Sequence, residues 1–347
     1  MKTNLKALVL LLAGTMLFSG CKADSIKDKP LSAHTDVEQQ KEEVVDPIKL
    51  EIEEFFGKYV NTDERPIAIM VDNDNKSARP HAGLNEAYLI YEMLVEGGST
   101  RFMALYRSAD TPKIGPVRSS RHYFLDYVME NDAIYTHYGW SPKAMSDISA
   151  FGINKINGVS GNDDSIFWRE RKFKGDWHSA YTSIENIKKM AEEKGYKVKT
   201  EHANALKYAD SYIALNEENA AKEVTLKYSY KYTTGYHYNG EKGIYEKTID
   251  NEPHVMQNGD VLEVKNIIIE LIYDTSLGDG TDRRNINTTG NGKGYYITNG
   301  TWEEITWSKS SRKENTVYKK SDGTELLINP GKTIVNIISP AAKITME

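Results

Sequence analysis

The sequence of 347 residues contains a single cysteine, Cys21. One thiol cannot form a disulfide within the chain, and it cannot supply the thiolates that a structural zinc site requires. The stability of the fold must therefore come from packing. We expect neither a bound metal nor another cofactor.

The sequence also lacks an excess of positive charge. It holds 44 lysine and arginine residues against 50 aspartate and glutamate residues, which gives a formal net charge of −6. Residues 22–64 contain 6 basic and 12 acidic side chains, so this segment accounts for the imbalance and the remaining chain is nearly neutral. A nearly neutral body lacks the basic surface of a nucleic-acid binder, and we expect no nucleic-acid partner.

The apolar run at the N-terminus, Ala7–Phe18, is too short to cross a bilayer, because a transmembrane helix needs about 20 residues. Lysines precede the run, and Ser19 and Gly20 lead from it to Cys21. This order is typical of a bacterial lipoprotein signal peptide. It predicts that residues 1–20 are removed and that Cys21 carries fatty acyl chains such as palmitate.

An anchor on Cys21 would hold the mature protein at the extracytoplasmic face of the bacterial cell membrane. The alternative is an ordinary secretory signal peptide that a chance cysteine follows. We favour the anchor, because a lone thiol in an exported protein otherwise has no use.

The remaining chain divides by composition. Residues 21–46 are rich in charged and small polar residues, cannot bury enough apolar surface to fold, and are predicted to be a flexible tether. Residues 47–215 are predicted to form an α/β domain with a mixed sheet. Residues 222–347 are predicted to form a β-rich antiparallel domain. Whether these domains share one core is left open by the sequence.

Apolar runs and turn residues predict the elements of the first domain. Pro66–Val71 suits a buried strand that ends at Asp72 and Asn73, and two runs around a glycine-containing turn predict a β-hairpin. The predicted helices are Ile48–Tyr59, Ser119–Asn131, one that starts at Ser141 and Pro142, and one that Thr182 and Glu185 open with a capping box and Gly195 closes. The predicted strands also include Tyr88–Val95, Phe102–Tyr106 and Ala133–Tyr138, although the spacing of Leu84, Tyr88, Tyr91 and Val95 also fits a helix.

The second domain has the alternating pattern of antiparallel strands. Apolar and polar residues alternate from Val224 to Tyr232, which predicts one strand with a single apolar face. Turn pairs separate the apolar segments that follow: Asn239–Gly240, Asn258–Gly259, Asn299–Gly300 and Asp322–Gly323.

The strongest local signal for a binding site is the segment Gly115–Arg121, where a turn is predicted to enter a helix. A helix N-terminus exposes unpaired N–H groups and carries a positive dipole. The predicted anion site therefore consists of Arg118, Ser119, Ser120 and Arg121, and it would accept a carboxylate or a phosphate. The alternative is that a serine caps the helix while both arginines pair with nearby carboxylates.

A second group of residues is predicted at the ends of strands. His137 and Trp140 lie on or just after a strand, and parallel strands would bring them to the same edge as Asp72. Trp140 could stack on a sugar ring, although large aromatic residues are more often part of a core. Asp72, Glu92 and His137 are the candidates for acid or base catalysis, with packed, non-catalytic roles as the alternative.

Glu92, Glu96 and Arg101 flank the predicted hairpin. A loop of Gly97–Thr100 would place Glu96 directly across from Arg101, which predicts a structural ion pair. Arg101 is also included in the candidate ligand site because it precedes Arg118 and Arg121 closely in the sequence.

The segments Glu96–Arg101 and Gly115–Arg121, together with the lipoprotein-like start, resemble the YerB-like lipoproteins, a two-domain family of bacterial envelope proteins of unknown function. The resemblance covers residues 60–345 and includes a separate C-terminal family domain that closes near Asn329–Thr333. It implies a sandwich-like α/β body and a location in the cell envelope. The family offers no established catalytic residues.

These observations favour a membrane-anchored, non-catalytic protein of the cell envelope. Its expected ligand is anionic or contains a glycan, or it is a protein partner, and its expected site lies near Arg118 and Arg121. The alternative is an envelope hydrolase or transferase that acts on peptidoglycan. A third possibility is a tethered structural scaffold, which would have no pocket with convergent polar groups.

Overall fold

The computed structural model describes residues 46–74 and 76–347. The predicted signal peptide, Cys21 and all of the predicted tether except Asp46 lie outside the described residues. The described residues belong to one compact unit. In this part of the chain, no helix has the length and apolar character needed to cross a membrane.

Four α-helices lie in the described ranges: α1 (Pro47–Phe55), α2 (Phe124–Glu130), α3 (Pro142–Phe151) and α4 (Ile184–Glu193). The strands before residue 200 are β1 (Ile67–Asn73), β2 (Leu89–Leu94), β3 (Thr100–Tyr106), β4 (Ile134–His137), β5 (Lys155–Asn157), β6 (Trp168–Arg169) and β7 (Ala180–Tyr181). The strands after residue 220 are β8 (Glu223–Lys227), β9 (Thr233–Asn239), β10 (Ile244–Ile249), β11 (Glu252–Pro253), β12 (Glu263–Val264), β13 (Asn266–Leu271), β14 (Asp274–Ser276), β15 (Arg284–Ile286), β16 (Gly290–Thr298), β17 (Thr301–Lys309), β18 (Val317–Lys320), β19 (Thr333–Ile338) and β20 (Lys343–Met346).

Helix boundaries follow local capping chemistry. At α3 the Ser141 hydroxyl accepts the N–H of Ala144 at 3.2 Å, Pro142 occupies the first turn, and Gly152 ends the helix with a φ of 65°. This start was predicted correctly. At α4 the prediction was wrong by one residue, because Ser183 is the cap and its hydroxyl accepts the N–H of Asn186. Thr182 donates its hydroxyl to Ile166 O instead.

A ten-stranded mixed sheet forms the centre of the molecule, in the order β18-β17-β16-β13-β19-β2-β3-β1-β4-β5. The β2–β3 hairpin is antiparallel, as predicted, while β1, β4 and β5 run parallel to one another. A smaller antiparallel sheet has the order β11-β10-β9-β8-β20, with β12 paired to β10. The predicted mixed α/β class with a β-rich C-terminal region is confirmed.

The central sheet is covered on both faces. Ile69, Phe102 and other residues of one face pack against α4 and the smaller sheet. Met70, Met103 and other residues of the opposite face pack against α2 and α3. Successive residues of a strand point to opposite faces, so each central strand contributes to both cores and reads as a continuous apolar run.

The central sheet also joins the two regions that the sequence separates. β19 from the C-terminal region pairs in parallel with β2 from the N-terminal region, and Val335 lies beside Tyr91. Both hydrophobic cores contain residues from before residue 200 and after residue 220. The two regions therefore share one sheet and its cores.

Two element predictions were wrong. The segment before α2 is extended, and the helix begins only at Phe124. The alternation from Val224 to Tyr232 does not form one strand, because β8 ends at Lys227 and β9 begins at Thr233. Tyr230, predicted to share the apolar face, lies in the turn and is 83% exposed.

Candidate functional site

The candidate site lies at one edge of the central sheet, where β1 and β4 end and β3 begins. Because β1 and β4 are parallel, Asp72 and His137 are brought to this edge together, as predicted. Asp72 is directly opposite Arg101 on the antiparallel strand β3. The polar ends of three adjacent strands therefore converge in one place.

The segment Gly115–Ser120 crosses this edge in an extended conformation. Arg118 N donates to Met70 O at 2.9 Å, and Asp72 N donates to Pro116 O at 2.8 Å. On the other side, Tyr138 N donates to Arg118 O at 2.9 Å. In addition, Ser141 N donates to Ser120 O at 3.1 Å. A helix that starts at Ser119 would need this carbonyl as an internal acceptor, which explains why the predicted early helix does not form.

Neither serine caps a helix. The Ser119 hydroxyl donates to Tyr138 O at 3.0 Å, and the Ser120 hydroxyl accepts the phenol O–H of Tyr135 at 2.8 Å. The predicted anion site at a helix N-terminus is therefore wrong in its geometry. Both serines instead fix the extended segment against β4, and this places Arg118 and Arg121 at the sheet edge.

Asp72 is fully buried and contacts two side chains, an imidazole and a guanidinium. Its Oδ2 lies 2.6 Å from Nδ1 of His178 and 3.0 Å from Nε of Arg118. Burial raises the pKa of the Asp72 carboxyl, but the His178 hydrogen bond and the charges of Arg101 and Arg118 outweigh burial, so the pKa lies below its ordinary value. Asp72 is therefore ionised at neutral pH.

Arg118 is held by charge alone. Its Nε lies close to Asp72 but does not have hydrogen-bond geometry, and the guanidinium makes no hydrogen bond to any residue that the structure describes. The side chain is 27% exposed. A guanidinium has five N–H donors, so Arg118 keeps its donors free for another group.

His178 points its second nitrogen away from Asp72. The hydrogen bond to Asp72 raises the pKa of His178 above its ordinary value, against the opposing effect of burial. Nε2 has no hydrogen-bond partner among the described residues. His178 is therefore an imidazole that a buried carboxylate orients and that remains partly exposed.

Arg101 is the most buried cation of the site. Its Nη1 donates to Ser119 O at 2.5 Å, while Nε has no partner in the described chain. Burial lowers the pKa of Arg101 to about 10. The guanidinium nevertheless remains charged at neutral pH.

Arg121 forms the second ion pair. Its Nε and Nη2 donate to the two carboxylate oxygens of Glu96 at 2.6 and 2.8 Å, and Nη1 donates to Ser120 O. The predicted cross-strand pair between Glu96 and Arg101 is wrong, because Met93 is the residue that faces Arg101 in the hairpin. We call the set of Arg101, Arg118, Arg121 and His178, with the carboxylates Asp72 and Glu96, the arginine cluster.

His137 and Trp140 lie beside the cluster as packed groups. Nδ1 of His137 donates to Gly139 O at 2.7 Å, and burial lowers the pKa of His137 to about 3, so the ring is neutral. The Trp140 ring lies 5.6 Å from the His137 ring, and the Lys155 ammonium lies 5.3 Å from the Trp140 ring centre. Nε2 of His137 is buried without a hydrogen-bond partner among the described residues. The predicted roles of His137 in catalysis and of Trp140 in sugar stacking stay predictions.

The sequence interpretation missed the loop that carries His178. This loop, residues 170–179, contains Phe173 and Trp177, which are 56% and 70% exposed. Lys172 fixes it by donating to Ser77 O and Arg79 O. The signal that could have identified it is the run from Trp168 to His178, in which basic and aromatic residues alternate closely.

Glu92 does not belong to the arginine cluster. It lies on the other face of the sheet, fully buried, with its carboxylate 3.1 Å from the buried ammonium of Lys247. Thr100 and Tyr232 each donate a hydroxyl to Glu92 Oε1 at 2.7 Å. We call Glu92, Lys247, Thr100 and Tyr232 the Glu92 network.

Two histidines connect the backbone of Asp72 to the same face as Glu92. Nε2 of His81 lies 2.6 Å from Asp72 O, and its Nδ1 lies 2.7 Å from Nε2 of His254. Both rings are buried, and burial lowers the pKa of His81 to about 4 and that of His254 well below its ordinary value. The pair is neutral at physiological pH.

The arrangement shows no preformed metal site, since no group of three or more His, Cys, Asp or Glu side chains converges within residues 46–74 and 76–347. Five surface cavities have volumes between 260 and 710 Å³. None of these five is lined by Asp72, Glu92 or His137. The three proposed catalytic groups thus do not meet in one of these cavities.

Comparisons with known proteins agree on one family. The family description "Protein of unknown function (DUF3048) N-terminal domain" matches residues 57–197, and the corresponding C-terminal domain matches residues 224–335. The chain is 34% identical over 289 residues to "Putative lipoprotein YerB" of Bacillus subtilis (strain 168), which covers 80% of this chain and 82% of that protein.

A solved structure supports the same relationship. The fold is similar to that in the crystal structure of the YerB protein from Bacillus subtilis, with a TM-score of 0.71 and 32% identity over 82% of this chain and 94% of the other. The name of that relative describes a lipoprotein, which implies association with a membrane. The chain therefore belongs to the YerB-like lipoprotein family, whose two domains are described as being of unknown function.

Proposed function

We propose that this protein is a non-catalytic binding protein of the bacterial cell envelope, anchored through Cys21 at the extracytoplasmic face of the membrane. Its ligand is anionic and contains a glycan, and it binds at the arginine cluster. The observation that carries this proposal is the Arg118 guanidinium, which Asp72 holds in place without a hydrogen bond.

The charges of the cluster support an anionic ligand. The cluster contains three guanidinium groups and two carboxylates. Arg118 pairs with Asp72, and Arg121 pairs with Glu96. Arg101 contacts a backbone carbonyl rather than a carboxylate. The planar guanidinium fork matches a carboxylate or a phosphate, which would satisfy the free donors of Arg118.

The exposed aromatic residues support a sugar component. Trp177 directly precedes His178 in the chain, Phe173 belongs to the same loop, and both aromatic side chains are largely exposed. An exposed aromatic ring beside charged donors suits a ligand with an apolar sugar face and an acidic group. Peptidoglycan fragments have this chemistry.

Equilibrium binding of purified peptidoglycan fragments to the soluble form that begins at residue 46 tests the proposal. We expect Arg118→Gln to weaken binding about tenfold or more, since a hydrogen bond to a charged group contributes about 1.5–3 kcal/mol. Arg283→Gln is the matched control, because Arg283 is similarly exposed and pairs with Asp279. Equal affinities of Arg118→Gln and the parent protein would contradict the proposal, as would a parent protein that binds none of the fragments.

A second candidate function is an envelope hydrolase or transferase that acts on peptidoglycan. The observation that favours it is the contact between Asp72 and His178, in which a buried carboxylate orients an imidazole whose Nε2 is free, as in a general base. Mass spectrometry of peptidoglycan incubated with the protein decides between the functions. New fragments that His178→Gln abolishes would support catalysis, whereas unchanged peptidoglycan together with measurable binding supports the binding protein.

A further inference from the structure

We infer that the protein has a second anion-binding site, separate from the arginine cluster, that takes a chain of phosphate groups. The site is a surface cavity of about 690 Å³, which we call the lysine pocket. Three lysines from different parts of the chain line it: Lys227 at the end of β8, Lys231 in the following turn and Lys343 at the start of β20.

The first observation is an unfavourable charge pair in the pocket wall. Lys227 and Lys343 are directly opposite each other on the antiparallel strands β8 and β20. Like charges in directly opposite positions destabilise a sheet. Lys227, Lys231 and Lys343 form no salt bridge with any residue in the described part of the chain, so neither charge of the facing pair is compensated by the fold.

The second observation is that the acidic residues of the pocket are already engaged. Asp274 pairs with Arg284, and Asp282 accepts the backbone N–H of Gly97 at 2.6 Å. The pocket thus contains four cationic side chains against two carboxylates, in a protein whose formal net charge is −6. The local positive charge is therefore available to a ligand.

The third observation concerns the kind of anion. The lysine pocket offers separate ammonium groups on flexible stems, which suit several phosphates at variable spacing, whereas a guanidinium fork suits one planar group. Tyr230 adds an 83% exposed ring at the rim, with the Lys231 ammonium 5.2 Å from its centre. These features favour a polyanion over a single small anion.

The lysine pocket and the arginine cluster lie on the two sides of one turn. Glu96 belongs to the cluster, while the next two residues, Gly97 and Gly98, line the pocket. Ser229 fixes this turn by donating to Gly98 O at 2.6 Å. The inference about phosphate chains does not depend on the proposed function, because none of the three lysines contacts the arginine cluster.

Binding of inorganic polyphosphate to the chain from residue 46 tests the inference. We expect the triple variant Lys227→Gln, Lys231→Gln, Lys343→Gln to bind polyphosphate about tenfold or more weakly, with a shallower dependence of affinity on salt, because fewer counterions are released. The matched control changes three exposed lysines outside the pocket, Lys189→Gln, Lys197→Gln and Lys319→Gln. This control is expected to bind within about twofold of the parent protein.

Additional probes distinguish the possible outcomes. Inorganic phosphate is expected to bind far more weakly than polyphosphate. The inference is overturned if the triple variant and its control lose affinity equally, or if monophosphate competes as well as the polymer. It is also overturned if the three lysines govern binding to phosphatidylglycerol vesicles but not to polyphosphate, since the site would then recognise a lipid surface.

Discussion

The arginine cluster and the Glu92 network lie on opposite faces of the central sheet, at the same end of its strands. Both combine carboxylates with cationic side chains, but the two sets differ in how far they are buried. In the Glu92 network the carboxylate contacts two hydroxyls and a fully buried ammonium. In the arginine cluster the Arg118 guanidinium has no hydrogen bond and is partly exposed. One set of charges is closed within the protein, and the other remains open to a ligand.

The difference shows how the fold separates stability from binding. Tyr232 and Lys247 come from the C-terminal region, so the Glu92 network joins the two regions of the chain. Glu92 Oε2 and Arg118 Nε both lie in an ion pair without a hydrogen bond, but the Glu92–Lys247 pair is fully buried, so a ligand cannot reach its charges. The arginine cluster comes entirely from the N-terminal region, where the sheet edge is accessible.

The largest effect on stability is expected from a substitution that breaks the Glu92 network. Lys247→Met leaves the Glu92 charge buried without a partner and is expected to lower the free energy of unfolding by about 3–5 kcal/mol. Arg118→Met in the open cluster is expected to lower it by about 1 kcal/mol or less, since partly exposed ion pairs contribute little. Urea unfolding of both variants measures the difference.

A double variant serves as the control for this prediction. Adding Glu92→Gln to Lys247→Met removes the unpaired charge and is expected to restore part of the lost stability. A Lys247→Met protein that is as stable as Arg118→Met would contradict the distinction between the closed and the open charges.

Acid is expected to lower the free energy of unfolding through His81, which lies on the same face of the sheet as Glu92. The pKa of His81 is lowered to about 4 by burial and, to a lesser extent, by the charge of Arg79, while the unfolded chain takes up this proton near pH 6.5. As the pH falls from 7.5 to 5, the unfolded state binds a proton that the folded state does not. This costs about 2 kcal/mol of stability for His81.

Urea unfolding between pH 7.5 and 5 tests whether stability falls with pH as expected, with His81→Gln as the comparison. The variant is expected to lose about 2 kcal/mol less than the parent protein over this range, whatever its absolute stability. A parent protein and a variant with the same pH slope would show that His81 is accessible to protons in the folded state.

The stability contributed by the Asp72–His178 pair of the arginine cluster is expected to change with pH in the opposite direction. The hydrogen bond to Asp72 raises the pKa of His178, so the stability from this pair is full below the unfolded pKa and is lost as the pH rises through the raised folded value. Asp72→Asn is expected to lower the pKa of His178, which an NMR titration of its ring protons measures. An unchanged pKa would show that Asp72 does not raise the pKa of His178.

The smallest expected effect concerns the facing lysines. Lys343→Glu replaces a repulsive cross-strand pair with an attractive one and is expected to raise the free energy of unfolding by about 0.2–1 kcal/mol. Lys293→Glu is the control at an exposed strand position, where the facing residue is the uncharged Thr306. Equal changes in the two variants would show that Lys227 and Lys343 do not repel each other.

The sequence was sufficient for the elements that rest on local pattern. The apolar run Ile67–Val71 followed by Asp72, the glycine turn between β2 and β3, and the Ser141 cap each specify their structure within a few residues. The convergence of Asp72 and His137 was also predictable, because parallel strands end at the same edge. The roles of the site residues in ligand binding stay predictions.

Other features depended on contacts that local pattern does not contain. His178 meets Asp72 across 106 residues, and Tyr232 meets Glu92 across 140 residues. The segment before α2 has helix-compatible residues, yet lateral bonds to β1 and β4 keep it extended. The partner of Glu96 depended on the register of the hairpin, which places Met93 across from Arg101.

The most direct test of the central claim observes the Arg118 guanidinium itself. NMR spectra of the arginine Nε–Hε groups, recorded while peptidoglycan fragments are added, report which arginine meets the ligand. We predict that the Arg118 resonance, identified by its loss in Arg118→Gln, shifts in a saturable manner while that of Arg283 stays in place. Saturable binding that leaves the Arg118 resonance unchanged would contradict the account.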